Sequence, residues 1–256
     1  MKKDKALTIV NFSKQTELDL EFELQNIPHP EKVEILLLDS LQLKTLPKNC
    51  VLFKNLKHIS LAYNPNLDFN NAFELLKNLP LEFLNLKGND LKILPKNIAK
   101  LQSITDLNIA YNKLQNEVNY TRLAALKNLS ELWLDHNELY EVPKTIGKLD
   151  QIIRLYIDNN FLTTLAPEMK NMKKLRVLHA GFNQLNSFPE VFIEMPGLIL
   201  AHLNNNRIQS FPKIYETKKY SLKGLILDNN PIPKEEIDWA KKEFSAFFLL
   251  SFQQKK

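Results

Sequence analysis

The feature that most constrains the fold is a spacing of apolar residues that recurs along most of the chain. It is clearest in residues 129–149, which read LSELWLDHNELYEVPKTIGKL. The apolar side chains of its first half are Leu129, Leu132, Leu134 and Leu139, and Asn137 lies between the last two. A helix would space apolar residues three or four apart throughout, and a strand would alternate them. The spacing instead predicts a short strand that turns into a tight coil, repeated along the chain.

This spacing defines nine consecutive units. They start at Val33, Leu56, Leu81, Ile104, Leu129, Ile152, Leu175, Leu198 and Leu222. Successive starts are 23, 25, 23, 25, 23, 23, 23 and 24 residues apart. Every unit has apolar residues at positions 1, 4 and 6. We expect these side chains to point inward and to build one continuous core through the stack.

Position 9 is an asparagine in every unit except the first, where Leu41 takes its place. These asparagines are Asn64, Asn89, Asn112, Asn137, Asn160, Asn183, Asn206 and Asn230. The backbone turns sharply here, inside a stack that water does not reach. Because an asparagine side chain has both donors and an acceptor, it can bond its own turn and the turn of the neighbouring coil. We therefore expect an asparagine ladder that satisfies buried backbone groups.

The combined pattern resembles the leucine-rich repeat, LxxLxLxxNxL, of the bacterial-type 23-residue class whose second half reads LPxxI. That second half occurs at Leu46-Pro47, Leu94-Pro95, Val142-Pro143, Phe188-Pro189 and Phe211-Pro212. The resemblance implies an α/β fold, a right-handed solenoid shaped like a horseshoe, with a parallel β-sheet on its concave face. The two 25-residue units lack LP and contain helix formers, so we expect short helices there in place of extended or 3₁₀ turns.

The chain is predicted to consist of a solenoid capped at both ends. Residues 1–32 form the N-terminal cap, with strands expected in ALTIVNF and in the alternating stretch from Leu18 to Leu24. Residues 33–232 form the nine leucine-rich repeats. Residues 233–256 form the C-terminal cap, a helix in PKEEIDWAKKEF followed by a closing strand in AFFLLSF. The chain is thus expected to be one complete domain without a second module.

Composition excludes several classes of protein. One cysteine rules out an intrachain disulfide framework, and no apolar run approaches the roughly 18 to 20 residues that span a membrane. The start of the chain lacks the features of a secretory signal, so two compartments stay open: the cytoplasm if this start is native, or the exterior if a signal was removed. No glycine-rich phosphate loop or HExxH motif occurs, and we predict no cofactor, metal site or catalytic residue.

The side chains at positions 2, 3, 5, 7 and 8 of each unit are expected to point outward, and we predict that together they form a recognition surface. Position 5, at its centre, reads Leu37, Ser60, Asn85, Asn108, Trp133, Tyr156, His179, His202 and Ile226. Neighbours in this order should touch, because adjacent strands lie about 4.8 Å apart. Rows of large amphipathic side chains anchor partners, although strand faces in general favour aromatic residues. The predicted partner-binding residues are Trp133, Tyr156, His179, His202, Arg154, Phe182, His136, Arg176, Asp135 and Asp158.

The charge of this surface is opposite to that of the whole chain, which has a net charge of +5. Its eight acids are Glu34, Asp39, Glu82, Asp106, Glu131, Asp135, Asp158 and Asp228. Its five bases are Lys57, Lys87, Arg154, Arg176 and Lys223, so the surface sums to −3. A groove for nucleic acid needs the reverse distribution, and we predict no nucleic-acid partner.

The sequence predicts a non-catalytic scaffold that binds a protein or peptide partner. Binding of carbohydrate or a cell-surface ligand is an alternative, since aromatic rows also stack on sugar rings. A metal-dependent enzyme built on His179 and His202, with Asp158 one strand away, is less favoured because no third ligand is fixed. Cys50 occupies an apolar position and is expected to be a buried hydrophobic residue. A monomer is favoured, although the apolar strand AFFLLSF offers an edge for a dimer contact.

Overall fold

The structure is a computed structural model that describes residues 8–254; the outer ends of both predicted caps, residues 1–7 and 255–256, lie outside the described residues. Eleven strands form one parallel sheet in this part of the chain, and each pairs with the next in sequence order. They are β1 (Ile9–Asn11), β2 (Ile35–Leu37), β3 (His58–Ser60), β4 (Phe83–Asn85), β5 (Asp106–Asn108), β6 (Glu131–Trp133), β7 (Arg154–Tyr156), β8 (Val177–His179), β9 (Leu200–His202), β10 (Gly224–Ile226) and β11 (Leu249–Ser251).

Strands β2 to β10 belong to the nine units, and each begins at position 3 of its unit. The middle residue of each of these strands is fully buried, whereas most of the residues on either side of it are not. Successive side chains of a strand point to opposite faces of a sheet, so one face packs on the core and the other meets solvent. The predicted parallel sheet is confirmed. A single apolar core runs beneath it from Val10 to Phe244.

The second halves of the units form short helical segments. The described residues contain four α-helices, α1 (Leu20–Gln25), α2 (Phe69–Leu76), α3 (Glu117–Leu123) and α4 (Lys234–Glu243), of which α1 precedes the units and α4 follows them. The 3₁₀ helices are Pro30–Lys32, Lys48–Leu52, Lys96–Lys100, Lys144–Lys148, Pro167–Asn171, Glu190–Glu194 and Lys213–Glu216. Helices α2 and α3 lie in the two 25-residue units, as predicted, and the side chains of Asp68 and Asn116 accept from their first backbone N–H groups.

The asparagine ladder is confirmed, and all eight members are no more than 7% exposed. Asn137 shows the pattern. Its side-chain amide donates to Leu134 O of its own coil at 3.1 Å and to Ile109 O of the preceding coil at 2.9 Å. Its side-chain oxygen accepts from Leu114 N at 3.1 Å, and its own backbone N–H donates to Asn160 Oδ1 at 2.9 Å. The ladder therefore joins each coil to the next through polar groups that have no access to water.

The prediction of a strand at residues 18–24 is wrong, because residues 20–25 form α1. Leu20 and Leu24 are buried, and residues four apart share one face of a helix. Phe22 would lie on the same side as both leucines in a strand, yet it is 60% exposed. The side chain of Asp19 accepts from Phe22 N at 3.1 Å and starts the helix. The alternation of apolar and charged residues in this stretch therefore belongs to a short capped helix and not to a strand.

The C-terminal elements follow the predicted order of helix and strand. Pro233 precedes α4, which has Glu235 and Glu236 in its first turn and lysines in its last. These charges complement the helix dipole. Strand β11 pairs with β10, so β1 and β11 are the edges of the described sheet. None of the described helices is long and apolar enough to cross a membrane. The division into caps and repeats at residues 32 and 232 remains a prediction.

Candidate partner-binding face

Four rings at the centre of the solvent face form a continuous series of ring contacts, which we term the aromatic row: Trp133, Tyr156, His179 and His202. The register of β6 to β9 places each ring directly opposite the next. Ring centroids are 5.1 Å apart for Trp133 and Tyr156, 4.6 Å for Tyr156 and His179, and 4.0 Å for the two histidines. The expected contacts between neighbours at position 5 are therefore present, while their role in binding remains a prediction.

The stacking determines which part of each ring is available to a ligand. The planes of Trp133 and Tyr156 differ by only 7°, so their faces cover each other. Phe83 packs edge-on against Trp133 from the other side, with centroids 6.2 Å apart and planes at 87°. The four rings of the row are half-buried. Because the faces are occupied, the row presents ring edges to solvent, with the indole N–H, the phenol hydroxyl and imidazole nitrogens among them.

Two of the predicted site residues, Asp135 and Asp158, have a structural role at the ends of the strands. Asp135 Oδ1 accepts from the backbone N–H of Asp158 at 2.9 Å. Asp158 in turn accepts from the backbone N–H of Gly181 in the next coil. Asp39 and Asp228 make the equivalent bond elsewhere in the sheet. Position 7 aspartates thus link consecutive coils, in addition to any contact with a partner.

Asp135 and Asp158 beside the aromatic row, and His179 within it, have pKa values shifted toward the uncharged form of each side chain. Burial raises the pKa of Asp135 to about 6, and burial together with the charge of Asp135 raises the pKa of Asp158 to about 7. Burial and the neighbouring His202 lower the pKa of His179 to about 4. Asp158 Oδ2 lies 3.9 Å from His179 Nδ1, but both groups are uncharged between about pH 4 and pH 7. This contact is therefore not an ion pair in that range.

The two predicted arginines flank the row and already have partners within the protein. Arg154 forms an ion pair with Glu131 on the adjacent strand. Arg176 is exposed, and its Nη1 donates to the carbonyl oxygen of Gly197 at 3.4 Å. A ligand that pairs with Arg154 must compete with Glu131, so this arginine is better suited to selecting partners than to supplying most of the affinity.

The margin of the sheet carries a second group of aromatic residues, including the predicted His136 and Phe182. They occupy position 8, where the backbone is left-handed in every unit; φ is 56° at Tyr63 and Tyr111, 53° at His136 and 52° at Phe182. Other units have Gly88, Asn159, Asn205 and Asn229 there, which suit this conformation.

Bulky residues are disfavoured at such a position, by about 1 to 2 kcal/mol each. Tyr63, Tyr111 and Phe182 are 46%, 45% and 48% exposed, so core burial does not offset this strain. Sequence reasoning left Tyr63 and Tyr111 out of the site. The signal that identifies them is the contrast with the asparagines and glycine at the same position of other units.

Four of the residues at this margin are in contact, and we term them the margin cluster: Tyr63, Lys87, Tyr111 and His136. Tyr111 stacks on His136 with centroids 4.0 Å apart. Lys87 Nζ lies 4.5 Å from the ring centroid of Tyr111 and 6.0 Å from that of Tyr63. The Tyr63 ring covers Gly88, where a methyl group would overlap it. A depression of about 500 Å³ adjoins the cluster and is lined in part by Tyr111, His136 and Phe161.

The groups considered for catalysis offer little reactive chemistry. Within residues 8–254 no three His, Cys, Asp or Glu side chains are placed to hold a metal ion together. The histidine pair of the aromatic row therefore has no third ligand there. Cys50 is buried, and burial raises the pKa of its thiol to about 12. A thiol that stays protonated is a poor nucleophile, in keeping with the expected hydrophobic role.

Neither a protein-family model nor a curated protein matches the sequence. Solved structures do match. A leucine-rich repeat protein of Leptospira interrogans is 25% identical, with 86% of this chain and 73% of that chain covered and a TM-score of 0.54. An internalin of Listeria monocytogenes is 19% identical, with 88% and 70% covered and a TM-score of 0.61. TLR13 in complex with a single-stranded RNA is 19% identical, with 91% and 35% covered and a TM-score of 0.73.

The protein has a leucine-rich repeat fold. The eleven-stranded parallel sheet fits the solenoid of these structures, and the resemblance read from the repeated letters is confirmed. Two of these three leucine-rich repeat proteins are bacterial, in agreement with the bacterial-type pattern. The 23-residue LPxxI class, the handedness of the solenoid and its capping remain predictions.

Proposed function

We propose that this leucine-rich repeat protein is a non-catalytic scaffold that binds a protein or peptide partner through its aromatic row. The observation that carries the proposal is the unbroken series of ring contacts between Trp133, Tyr156, His179 and His202 on four adjacent strands, in which the first three rings are stacked and the two histidines are tilted by 42°. Interface hot spots are enriched in tryptophan, tyrosine and arginine and lie at the centre of the contact. Solenoids present extended surfaces of this kind to their partners. A stack that is already ordered loses little side-chain freedom on binding.

The geometry of the row favours a protein or peptide over a carbohydrate. Stacking on a sugar requires an open ring face, and the faces of Trp133 are covered by Tyr156 on one side and approached by Phe83 on the other. The exposed edges carry hydrogen-bond donors and acceptors. These groups suit the amides and side chains of a polypeptide, which also supplies apolar groups to cover the ring edges.

Charge and stacking also argue against nucleic acid as the partner of this row. TLR13 is bound to a single-stranded RNA, but at 19% identity the likeness concerns the fold alone. Proteins that bind single strands combine a cationic groove with open aromatic faces. Here the solvent face is acidic and Arg154 is already paired with Glu131. Protonation of Asp158 near pH 7 removes one negative charge but adds no cation.

The proposal is tested by removing the large rings at the centre of the row. A partner is first isolated with the wild-type protein from a lysate of the source organism and then purified. The double variant Trp133→Ala with Tyr156→Ala should bind this partner at least tenfold more weakly in calorimetry, since a hot-spot residue contributes about 2 kcal/mol or more.

The matched control is Asn85→Ala with Asn108→Ala, which changes position 5 of β4 and β5 and should leave the affinity within about twofold. Circular dichroism checks that each variant is folded. Equal affinity of the wild type and the Trp133 double variant would refute this placement of the site. Wild-type binding on a glycan array that quenches Trp133 fluorescence would instead support the carbohydrate alternative.

A further inference from the structure

The margin cluster carries backbone strain that burial in the core does not explain. Its aromatic members occupy a left-handed position that Asn159, Asn205 and Asn229 fill in other units of the same solenoid. Tyr63 and Tyr111 remain nearly half-exposed, so they are not there to complete the core. Bulky residues held in left-handed conformations cluster at functional sites, where a display of the side chain outweighs the strain.

We propose that the margin cluster is a second binding site, separate from the aromatic row, that takes an acidic extended segment of a protein partner. The cation of this site is Lys87, whose ammonium group lies between the rings of Tyr63 and Tyr111. Its neighbours at position 7, Ala62 and Ala110, carry no charge. No ion pair engages Lys87 within residues 8–254, whereas the nearby Lys113 is paired with Asp90.

A carboxylate suits this environment better than a neutral group does. The rings hold the Lys87 ammonium at a fixed place and remove part of its water, which strengthens its attraction to an incoming anion. The exposed phenol hydroxyls of Tyr63 and Tyr111 can donate to the same carboxylate. The charge of Lys87 is thus complementary to a single acidic side chain or a chain terminus.

The adjoining depression offers a place for the partner's side chain next to that carboxylate. It has a volume of about 500 Å³ and a mixed lining, in which the rings of Tyr111, His136 and Phe161 offer apolar surface to one side chain of the partner beside the charged groups of Asp90, Lys113 and Glu138. The cluster extends from Tyr63 in the second unit to His136 in the fifth unit, over three strand spacings or about 14 Å. An extended peptide covers that distance with about four residues.

The number of cations distinguishes a peptide from a polyanion. Nucleic acid would need several lysines or arginines along its backbone, and the cluster has one unpaired lysine on an otherwise acidic face. Asp135 interacts electrostatically with Lys87, and Glu138 lines the depression beside Tyr111 and His136, so both would repel phosphates beyond the one that Lys87 holds. One carboxylate beside one apolar side chain is therefore the ligand that these residues match.

The test uses a library of random 12-residue peptides displayed on phage and selected against the wild-type protein. Peptides that bind should contain aspartate or glutamate beside an apolar residue. One is synthesised with a fluorophore, and its affinity is measured by anisotropy. Lys87→Gln and Tyr111→Asn should each weaken binding at least tenfold. Asparagine suits the left-handed backbone at position 111, so the second variant keeps the fold.

Two control variants make the result specific. Phe182→Asn changes an aromatic residue of the same conformation outside the cluster, and it should leave the peptide affinity unchanged. The double variant Trp133→Ala with Tyr156→Ala should also leave it unchanged, because the aromatic row is a separate site. The outcome for the margin cluster is in this way independent of the outcome for the row.

Three results would overturn the proposal. The first is selected peptides that lack acidic residues or that bind Lys87→Gln as tightly as the wild type. The second is loss of peptide binding in the Trp133 double variant, which would make the cluster part of the row. The third is binding of a 20-nucleotide poly(U) RNA that is lost in Lys87→Gln, which would identify nucleic acid as the ligand.

Discussion

Strands β3 to β5 and strands β6 to β9 have the same backbone and buried residues of the same kind, but they present different surfaces. Position 5 forms a polar row of Ser60, Asn85 and Asn108 in the first group and the aromatic row in the second. Both groups pair in the same parallel register. The solenoid therefore holds its shape regardless of what position 5 presents to solvent.

The polar row satisfies its own hydrogen-bonding groups. Asn85 Nδ2 donates to Ser60 Oγ at 2.9 Å, and Asn85 Oδ1 accepts from the backbone of Lys87 at 3.1 Å. Asn108 Oδ1 accepts from Ala110 N at 3.0 Å. Within residues 8–254 the rings of the aromatic row contact one another, and His179 Nδ1 lies 3.9 Å from Asp158 Oδ2. The comparison shows that the same backbone can carry a row of hydrogen-bonded polar side chains or a row of aromatic rings, and the proposed binding site lies on the second.

The largest effect should come from the core, and it should be equal in the two groups. Leu107 on β5 and Leu132 on β6 are both fully buried at position 4. Replacing either with alanine leaves a cavity and should lower the free energy of unfolding by about 3 kcal/mol. Urea denaturation measures both variants. A difference between them above about 1.5 kcal/mol would show that the two groups do not share one kind of core.

The ladder should be nearly as important as the core. Asn137→Ala removes the partners of Leu114 N, Ile109 O and Leu134 O in a place without water, and should lower the free energy of unfolding by about 2 kcal/mol. Asn108→Ala is the control, because its half-buried side chain can be replaced by water and the loss should stay below about 1 kcal/mol. Equal losses in urea denaturation would contradict the distinction between sealed and solvent-facing asparagines.

The aromatic row should make stability depend on pH through two opposing contributions. The raised pKa of Asp158, about 7, means that the folded protein keeps a proton which the unfolded chain has released, so its contribution falls as pH rises from about 4 to 7. The lowered pKa of His179, about 4, means that the unfolded chain binds the extra proton, so its contribution increases from about pH 4 to 6.5. Asp135 and His202 shift in the same directions as their respective neighbours.

Single substitutions should separate these contributions. Stability of Asp158→Asn relative to the wild type should increase with pH between about 4 and 6.5, and that of His179→Gln should decrease, each by about 1 kcal/mol because solvent screens partly exposed groups. Thermal unfolding in a series of buffers measures both. Parallel pH profiles for the two variants would show that these groups titrate alike in the folded and unfolded states. The same series for Asn108→Ala, in the polar row, should match the wild type.

The smallest effect should come from the strained margin. Phe182→Asn relieves the left-handed strain but loses some ring contact, and should raise the free energy of unfolding by about 0.5 kcal/mol. The reciprocal change, Asn159→Phe, should lower it by about 1 kcal/mol. Both positions keep the same backbone bond to the next coil. If Phe182→Asn were destabilising by more than about 1 kcal/mol, ring packing rather than display would explain the phenylalanine.

Predictions from the sequence were correct for residues that recur at the same position of every unit and less complete for residues that occur in only one or a few units. The repeated leucines and asparagines predicted the sheet, the ladder and the order of position 5, because identical coils must stack in one register. The prediction was wrong at α1, where a single capped helical turn has the same alternation of apolar and charged residues as a strand. This segment does not repeat along the chain, so no other unit indicates its conformation. Sequence reasoning placed Lys87 and Tyr111 on the outward face but not among the predicted partner-binding residues, since a cation–π contact between neighbouring coils depends on side-chain directions.

The sequence by itself determined the fold of this protein. The same spacing of apolar residues occurs in nine consecutive units. Only a stack of coils buries the leucines of all the units and hydrogen-bonds the buried turns through their asparagines. The tertiary structure alone decided how the outward residues are arranged. The rings of Trp133 and Tyr156 cover each other's faces, Asp158 lies beside His179 where burial raises the pKa of the first and lowers that of the second, and Tyr63 and Tyr111 are held in strained positions. The physical reason is that burial follows from spacing, whereas ring orientation, desolvation and strain depend on which atoms the neighbouring coil brings into contact.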